Sequence, residues 1–249
     1  MNHSQNISDI LTRAAQAKIA ELTEQVIHYK GLSVQDGPFK GMKLPETASW
    51  GNGDTLPKIL GTYEQELNVS IETCIARKPE VVVNIGCAEG YYAVGLAKRM
   101  PGVQVNAYDN DMKALRLCTD AVRLNHAEMV NIGRDGFIKA DIHELRGKKS
   151  MYVIDCEGAE LDYVENPENF VNADLIIECH EFKDRECVSK LVTVLSKTHD
   201  INLLREGPRD PASIELLRGL NTLERFCAVC EMRPAPTMLW VVALAKSRS

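Results

Sequence analysis

The run Glu80-Val81-Val82-Val83-Asn84-Ile85-Gly86-Cys87-Ala88-Glu89-Gly90-Tyr91-Tyr92-Ala93-Val94-Gly95-Leu96-Ala97 decides how the rest of the chain reads. Val81 to Ile85 is a short, β-branched apolar run, the pattern of a strand buried on both faces. Gly86 and Gly90 permit a tight turn, and Tyr91 to Met100 has helix-forming character until Pro101-Gly102 stops it. Strand, small-residue loop and helix together make a cradle for a nucleotide-type cofactor. Backbone groups can approach closely there, and the helix N-terminus favours an anionic group. The loop is not the dinucleotide fingerprint, because Ala88 stands at its second glycine and Tyr91 at its third. Alone, it would fit any doubly wound α/β turn.

A second signal follows. Val103 to Tyr108 is the next strand candidate and ends in Asp109-Asn110-Asp111 before a helical stretch from Met112 to about Leu124. An acid at the end of that strand, roughly 20 residues past the glycine loop, is placed to accept hydrogen bonds from ribose hydroxyls. Asp109 is the choice for the ribose, with Asn110 beside it, whereas Asp111 serves as well as the N-cap of the helix. Met129 to Gly133 reads as a third strand ending at Arg134-Asp135-Gly136, with Asp141 on a short helix from Ile138 to Leu145. Were the fold one that binds S-adenosylmethionine, an adenine-contacting residue would be expected at this strand end, and Asp135 is favoured for it over Asp141.

Met151 to Ile154 is the fourth strand, followed by Asp155-Cys156-Glu157-Gly158-Ala159-Glu160. Asp174 to Ile177 is the fifth, followed by Glu178-Cys179-His180-Glu181. Carboxyl ends of parallel strands form the ligand-binding edge of an open sheet, so both clusters are expected at the glycine loop's crevice. Each acid could instead cap a helix or pair with a rim cation. Gathered at one edge, Asp155, Glu157, Glu178 and His180 are the candidate catalytic residues.

The whole chain sets bounds on these readings. Its 249 residues suit one α/β domain with an N-terminal extension, and no apolar run reaches membrane-spanning length. The N-terminus lacks the basic and apolar regions of a secretory signal, so a cytoplasmic location is expected. A net charge of -6 and a pI near 5.6 argue against a nucleic-acid substrate, which relies on clustered Lys and Arg. Eight cysteines without a disulfide-type framework are expected to be reduced. Cys227 and Cys230 are expected on opposite faces of a strand, as core residues rather than a zinc or redox pair.

Ser8 or Asp9 is placed to cap a helix running to about Tyr29 and ended by Gly31. That helix, within residues 1–35, either packs on the domain or pairs with a second subunit in a homodimer. Residues 36–249 would form the main domain. It begins with a loop-rich segment over 36–67, where Trp50, Tyr63 and Glu64 could touch cofactor or substrate. A helix from about Glu64 to Arg77 leads into the first strand. At the other end, Phe226 to Glu231 and Met238 to Ala245 are expected to form a hairpin.

The segments Gly61-Thr-Tyr-Glu-Gln-Glu-Leu67, Val83 to Tyr92, Asp155 to Glu160, Ile176 to Glu181 and Arg233-Pro-Ala-Pro236 together resemble FkbM-type S-adenosylmethionine (SAM) methyltransferases. The resemblance spans about residues 36 to 245. Asn84 and Cys87 depart from the Asp and Ala commoner in that family's loop. It implies a Rossmann-like class I methyltransferase fold: a mostly parallel seven-stranded sheet with a C-terminal antiparallel hairpin and an N-terminal helical extension. It further implies SAM as cofactor, held by Asn84, Gly86, Cys87, Ala88, Gly90, Tyr91, Asp109, Asn110, Asp135 and Gly136, with Tyr63 and Glu64 nearby. The implied reaction is methyl transfer to a hydroxyl of a small acceptor such as a sugar or secondary metabolite. His180 or Asp155 would be the base. A divalent cation on Asp155, Glu178 and His180 ranks second, since no compact ligand motif is present. The rival readings are a non-catalytic SAM- or nucleoside-binding module and an RNA or protein methyltransferase.

Overall fold

A computed structural model of the chain describes residues 3–46, 53–134, 138–233 and 238–246. The elements follow in the order α1 (His3–Lys30), α2 (Thr55–Leu60), α3 (Asn68–Ala76), β1 (Val81–Ile85), α4 (Tyr91–Arg99), β2 (Gln104–Asp109), α5 (Met112–Asn125), β3 (Val130–Arg134) and α6 (Ile138–Glu144). They continue with β4 (Ser150–Ile154), α7 (Glu160–Tyr163), β5 (Ala173–Cys179), α8 (Cys187–Leu195), β6 (His199–Arg205), α9 (Thr222–Ala228) and β7 (Leu239–Ala245). By internal contacts the chain divides into two compact units. One is Met1–Gln65 with Pro208–Arg233, the other Glu66–Gly207 with Pro234–Ser249.

The larger unit holds a seven-stranded sheet in the order β3-β2-β1-β4-β5-β7-β6. All pairs from β3 to β5 are parallel, and β7 runs antiparallel to both β5 and β6. That is the Rossmann-like class I methyltransferase arrangement. Every residue of β1, β4 and β5 is buried, which explains why these strands read as continuous apolar runs rather than as alternating ones. On one face, Val83, Ile85, Tyr152, Ile154, Leu175 and Ile177 meet Ile138, Ile142, Leu191 and Leu195 from α6 and α8. Each such aliphatic side chain removed from water contributes about 1.5–3 kcal/mol.

The register brings the business ends together. Ile85 lies opposite Tyr108 on one side and Ile154 on the other, and Ile154 lies opposite Ile177. Gly86, Asp109, Asp155 and Glu178 therefore emerge along one edge. Strand order reverses direction between β1 and β4, so this edge is also the topological switch point, where open α/β sheets bind ligands.

Several expectations are corrected. The antiparallel pair at the end of the chain exists, but β7 pairs with β6 rather than with Phe226–Glu231. Phe226 and Cys227 lie on helix α9, which Asn221 and Glu224 start with a reciprocal capping box. The Cys227–Cys230 strand geometry accordingly does not arise. Helix α1 begins at His3, so Ser8 and Asp9 lie within it and do not cap it. All eight cysteines are free thiols. No helix among the described residues is long and apolar enough to cross a membrane.

The smaller unit is built on Leu22 of α1, Leu56 and Leu60 of α2, and Leu217, Ala228 and Val229. In it Glu64 is buried and forms ion pairs with Arg233, while its N–H donates to Glu231 Oε1 at 3.1 Å. Arg209 bonds Glu231 Oε1 at 2.5 Å and the Thr62 carbonyl at 2.9 Å.

One ion pair, half-buried at Arg77 and fully buried at Asp174, clamps the far end of the sheet. Arg77 Nε donates to both oxygens of Asp174, at 3.1 and 2.9 Å, and its Nη2 donates to the Ala245 carbonyl at 2.6 Å. Asp174 Oδ1 also accepts the Ala245 N–H at 3.0 Å, so one carboxylate joins α3, β5 and β7. Asp174→Ala strips a guanidinium and a ladder N–H of their acceptor, and the expected loss is about 3 kcal/mol. The midpoint of urea unfolding checks it. A loss under about 1 kcal/mol would mean that Arg77 recovers its bonds from water.

Candidate active site

The glycine turn is held from two sides. The N–H groups of Gly86 and Cys87 donate to the Tyr108 carbonyl at 2.8 and 2.9 Å, tying the turn to the end of β2. Gly86 has φ +78°, and a Cβ there would lie 1.5 Å from the Asp155 carbonyl oxygen. Only hydrogen fits between the turn and the end of β4. Ala88, at the position where a dinucleotide loop has glycine, adopts φ 46°. Its N–H donates to Asp109 Oδ2 at 3.0 Å.

Asp109 thus does more than end β2. Its Oδ1 accepts the Asp111 N–H at 2.9 Å, so the carboxylate braces both the glycine turn and the turn into α5. Each carboxylate oxygen retains acceptor capacity beyond one bond, as a ribose hydroxyl requires. Asp111 caps α5 through the Lys113 N–H at 2.6 Å, the role foreseen for it. Asn110 is exposed beside it. These residues fit a nucleoside cofactor: a close-approach turn, an acid at ribose position and the N-terminus of α4 at Tyr91 lie along one edge. Asp109→Ala should weaken SAM binding by roughly 10–150-fold, the worth of charged hydrogen bonds at about 1.5–3 kcal/mol. Calorimetry reads this directly, and an unchanged affinity would remove Asp109 from the cofactor site.

The remaining loop residues also bond or pack within the protein. Asn84 is buried and its Nδ2 donates to the Val153 carbonyl at 3.3 Å, across to β4. Cys87 is buried, and a hydrogen bond shared with Cys118, reinforced by burial, raises its pKa well above that of a free thiol. Tyr91 is buried edge-to-face against Tyr92, with ring centroids 5.5 Å apart. Asp135, Gly136 and Trp50 lie outside the described residues. Asp141, the alternative adenine contact, sits on α6 and lines a cavity with Asn106, Tyr108 and Gly133. Burial, with Glu144 nearby, raises its pKa. Tyr63 stacks under Lys58 Nζ at 4.7 Å, within the same unit as the Glu64 ion pairs.

Next to the turn stands the acidic cluster. After β4 the chain turns through two left-handed residues, Glu157 (φ 56°) and Gly158 (φ 107°), into α7. This turn points Glu160 back, and its Oε1 accepts the Gly158 N–H at 2.8 Å and pairs with His180 Nδ1 at 2.6 Å. His180 Nε2 then faces Glu157 Oε2 at 3.5 Å, Asp155 Oδ1 at 3.7 Å and Glu178 Oε2 at 3.8 Å. The histidine side chain is 2% exposed, Asp155 31% and Glu157 74%. Burial opposes charge on the imidazole, but the Glu160 hydrogen bond and the carboxylates of Glu178 and Glu157 overcome it and raise the His180 pKa. Burial likewise opposes charge on Glu160, but the bonds from His180 and Gly158 hold its pKa below the usual value. All four candidate catalytic residues are brought together. Glu160 was not among them, although its place in Asp155-x-Glu-Gly-x-Glu160 was visible; only the fold shows that it orients the imidazole.

Residues 68–147 match the family model described as methyltransferase small domain. No curated protein matches the sequence. Among solved structures, the O-methyltransferase TomG from Streptomyces achromogenes, solved with SAM, is 12% identical with TM-score 0.52, covering 77% of this chain and 83% of its own. An rRNA methylase from Streptococcus thermophilus is 13% identical with TM-score 0.50, covering 73% of this chain and 97% of its own. The fold is therefore that of class I methyltransferases. With the family match, it supports a SAM-dependent methyltransferase. At such identities the acceptor does not follow from the likeness.

Proposed function

We propose that this chain is a SAM-dependent O-methyltransferase acting on a hydroxyl of a small molecule. The observation that carries it is the abutment of two sites. The glycine turn braced by Asp109 rests against the Asp155 carbonyl, where the Asp155–Glu157–Glu178–His180 cluster begins. SAM, when bound, supplies an electrophilic methyl group. Gly86, Ala88 and Asp109 would hold its nucleoside side, and Asp135 and Gly136 are assigned its adenine. The cluster's part is the acceptor: a neutral hydroxyl must shed its proton, and a group of carboxylates around an imidazole can position it and take that proton. Asp155 and Glu157, the more exposed members, can pass it on to water. Holding both partners in register is worth roughly 7–11 kcal/mol in favourable cases, so positioning is a large part of what such a site contributes.

An acidic rim and a net charge of -6 disfavour a polyanionic acceptor, which is why a small molecule is preferred to RNA. Calorimetry with SAM and its demethylated product, then methyl-donor turnover on panels of hydroxylated small molecules, RNA oligonucleotides and peptides, tests this reading. Turnover confined to RNA or peptides would overturn the acceptor class. Saturable SAM binding with no turnover on any panel would favour a non-catalytic binding module.

A further inference from the structure

We infer that Asp155, Glu178 and His180 form a binding site for one divalent transition-metal ion of the Mn2+ type. The inference concerns the same edge as the methyl-transfer reading and rests on that reading for the ion's role, though not for its existence. From sequence alone the metal-free version ranks first, because the three residues form no compact motif. The side-chain geometry reverses that order.

The three residues each offer one ligand atom, and these atoms lie within 4.8 Å of one another. Two atoms each about 2.1–2.2 Å from a shared metal lie about 3.0 Å apart when adjacent in an octahedron and about 3.5 Å apart in a tetrahedron. Opposite octahedral ligands lie about 4.3 Å apart. The distances from His180 Nε2 to Asp155 Oδ1 and Glu178 Oε2, 3.7 and 3.8 Å, are a few tenths of an ångström longer than the tetrahedral spacing and shorter than the opposite octahedral one, so small side-chain shifts would bring all three atoms onto one ion. These distances are too long for hydrogen bonds. Direct imidazole–carboxylate bonding would pull these atoms to about 2.8 Å, as it does between Nδ1 and Glu160.

The histidine supplies a second, independent observation. Its side chain is 2% exposed, yet its single hydrogen bond among the described residues is made by Nδ1. Nε2 is turned into the cluster without one. A carboxylate on one imidazole nitrogen, with the other aimed at a group of oxygens, is the arrangement by which proteins fix a ligating histidine. Glu160 would be the orienting carboxylate, itself anchored by the Gly158 N–H.

The donor set selects the ion. One imidazole and two carboxylates are softer than the all-oxygen shells that suit Mg2+ and Ca2+, and lack the thiolates that mark structural zinc. Mn2+ accepts both donor types and keeps open positions for water or an acceptor oxygen. Glu157, 74% exposed and outside the three-atom set, stays free to take the proton of a metal-bound hydroxyl.

The test is Mn2+ titration of the chelator-stripped full chain, read by loss of the free-ion electron paramagnetic resonance signal. One ion per chain is expected, and a tenfold excess of Mg2+ should not displace it. Glu178→Gln and Asp155→Asn should each weaken binding by at least about tenfold. Glu160→Gln should cost about 10–100-fold as an orienting group, with far-UV circular dichroism unchanged. Glu157→Gln should change affinity less than about threefold. No stoichiometric binding below about 1 mM, the weak end of carboxylate sites, overturns the inference. So does equal weakening by Glu157→Gln and Glu178→Gln, the mark of a diffuse acidic patch. Should Glu178→Gln fail to fold, the wild-type titration and the half-exposed Asp155→Asn still decide. SAM calorimetry in chelator runs alongside. SAM binding without Mn2+ binding sinks the metal site alone, and Mn2+ binding without SAM binding sinks methyl transfer alone.

Discussion

The Gly86→Ala chain should bind SAM at least about 1000-fold more weakly than the natural one, a loss of about 4 kcal/mol or more. Two costs combine. A non-glycine residue at φ +78° carries strain of order 1–3 kcal/mol. The added methyl would lie 1.5 Å from the Asp155 carbonyl oxygen, a main-chain atom that no rotamer change can clear. Relief requires β1 and β4 to part at their ends, and this displaces the turn that Asp109 braces. Gly147→Ala separates the two costs, because Gly147 has φ +84° but nothing within 4 Å of its would-be Cβ. That variant should lose about 1 kcal/mol of stability and keep its SAM affinity. Calorimetry with urea melts reads both. If Gly86→Ala binds within about tenfold of the parent, the cofactor does not sit on this turn.

Asp155→Asn should leave SAM affinity within about threefold while turnover falls by about 100- to 10,000-fold, because the cluster that positions and deprotonates the acceptor loses one of its carboxylates. The amide keeps the shape of the side chain, and the Asp155 carbonyl against Gly86 belongs to the backbone, so the turn is undisturbed. What is lost is a negative oxygen 3.7 Å from His180 Nε2. Steady-state turnover with SAM saturating checks this, and an unchanged rate would exclude Asp155 from handling the acceptor.

Much of this was legible before any coordinates. β1 begins at Val81 and ends at Ile85 as its apolar run does, since a strand buried on both faces leaves an unbroken hydrophobic signature. Asp111 announced itself as a cap, and Asp109 as the partner of the glycine turn, because both roles depend on residues close in sequence or at a set strand spacing. β6 was not legible: an edge strand reading His-Asp-Ile-Asn-Leu-Leu-Arg, largely exposed, carries little apolar pattern. Nor was α9, whose apolar residues near Phe226 look strand-like until the capping box at Asn221 and Glu224 is weighed.

By itself, then, the sequence determined the strand–turn–helix at Gly86, the acid that follows it, and the set of acids that end β4 and β5. Local backbone preferences and short-range periodicity suffice for those. The tertiary structure alone decided which strand β7 pairs with and that Glu160 and His180, 20 residues apart, meet through one hydrogen bond. It also decided that Asp174 holds Arg77 from 97 residues away. These contacts depend on register and on the angle of a left-handed turn at Glu157 and Gly158, which no local pattern encodes.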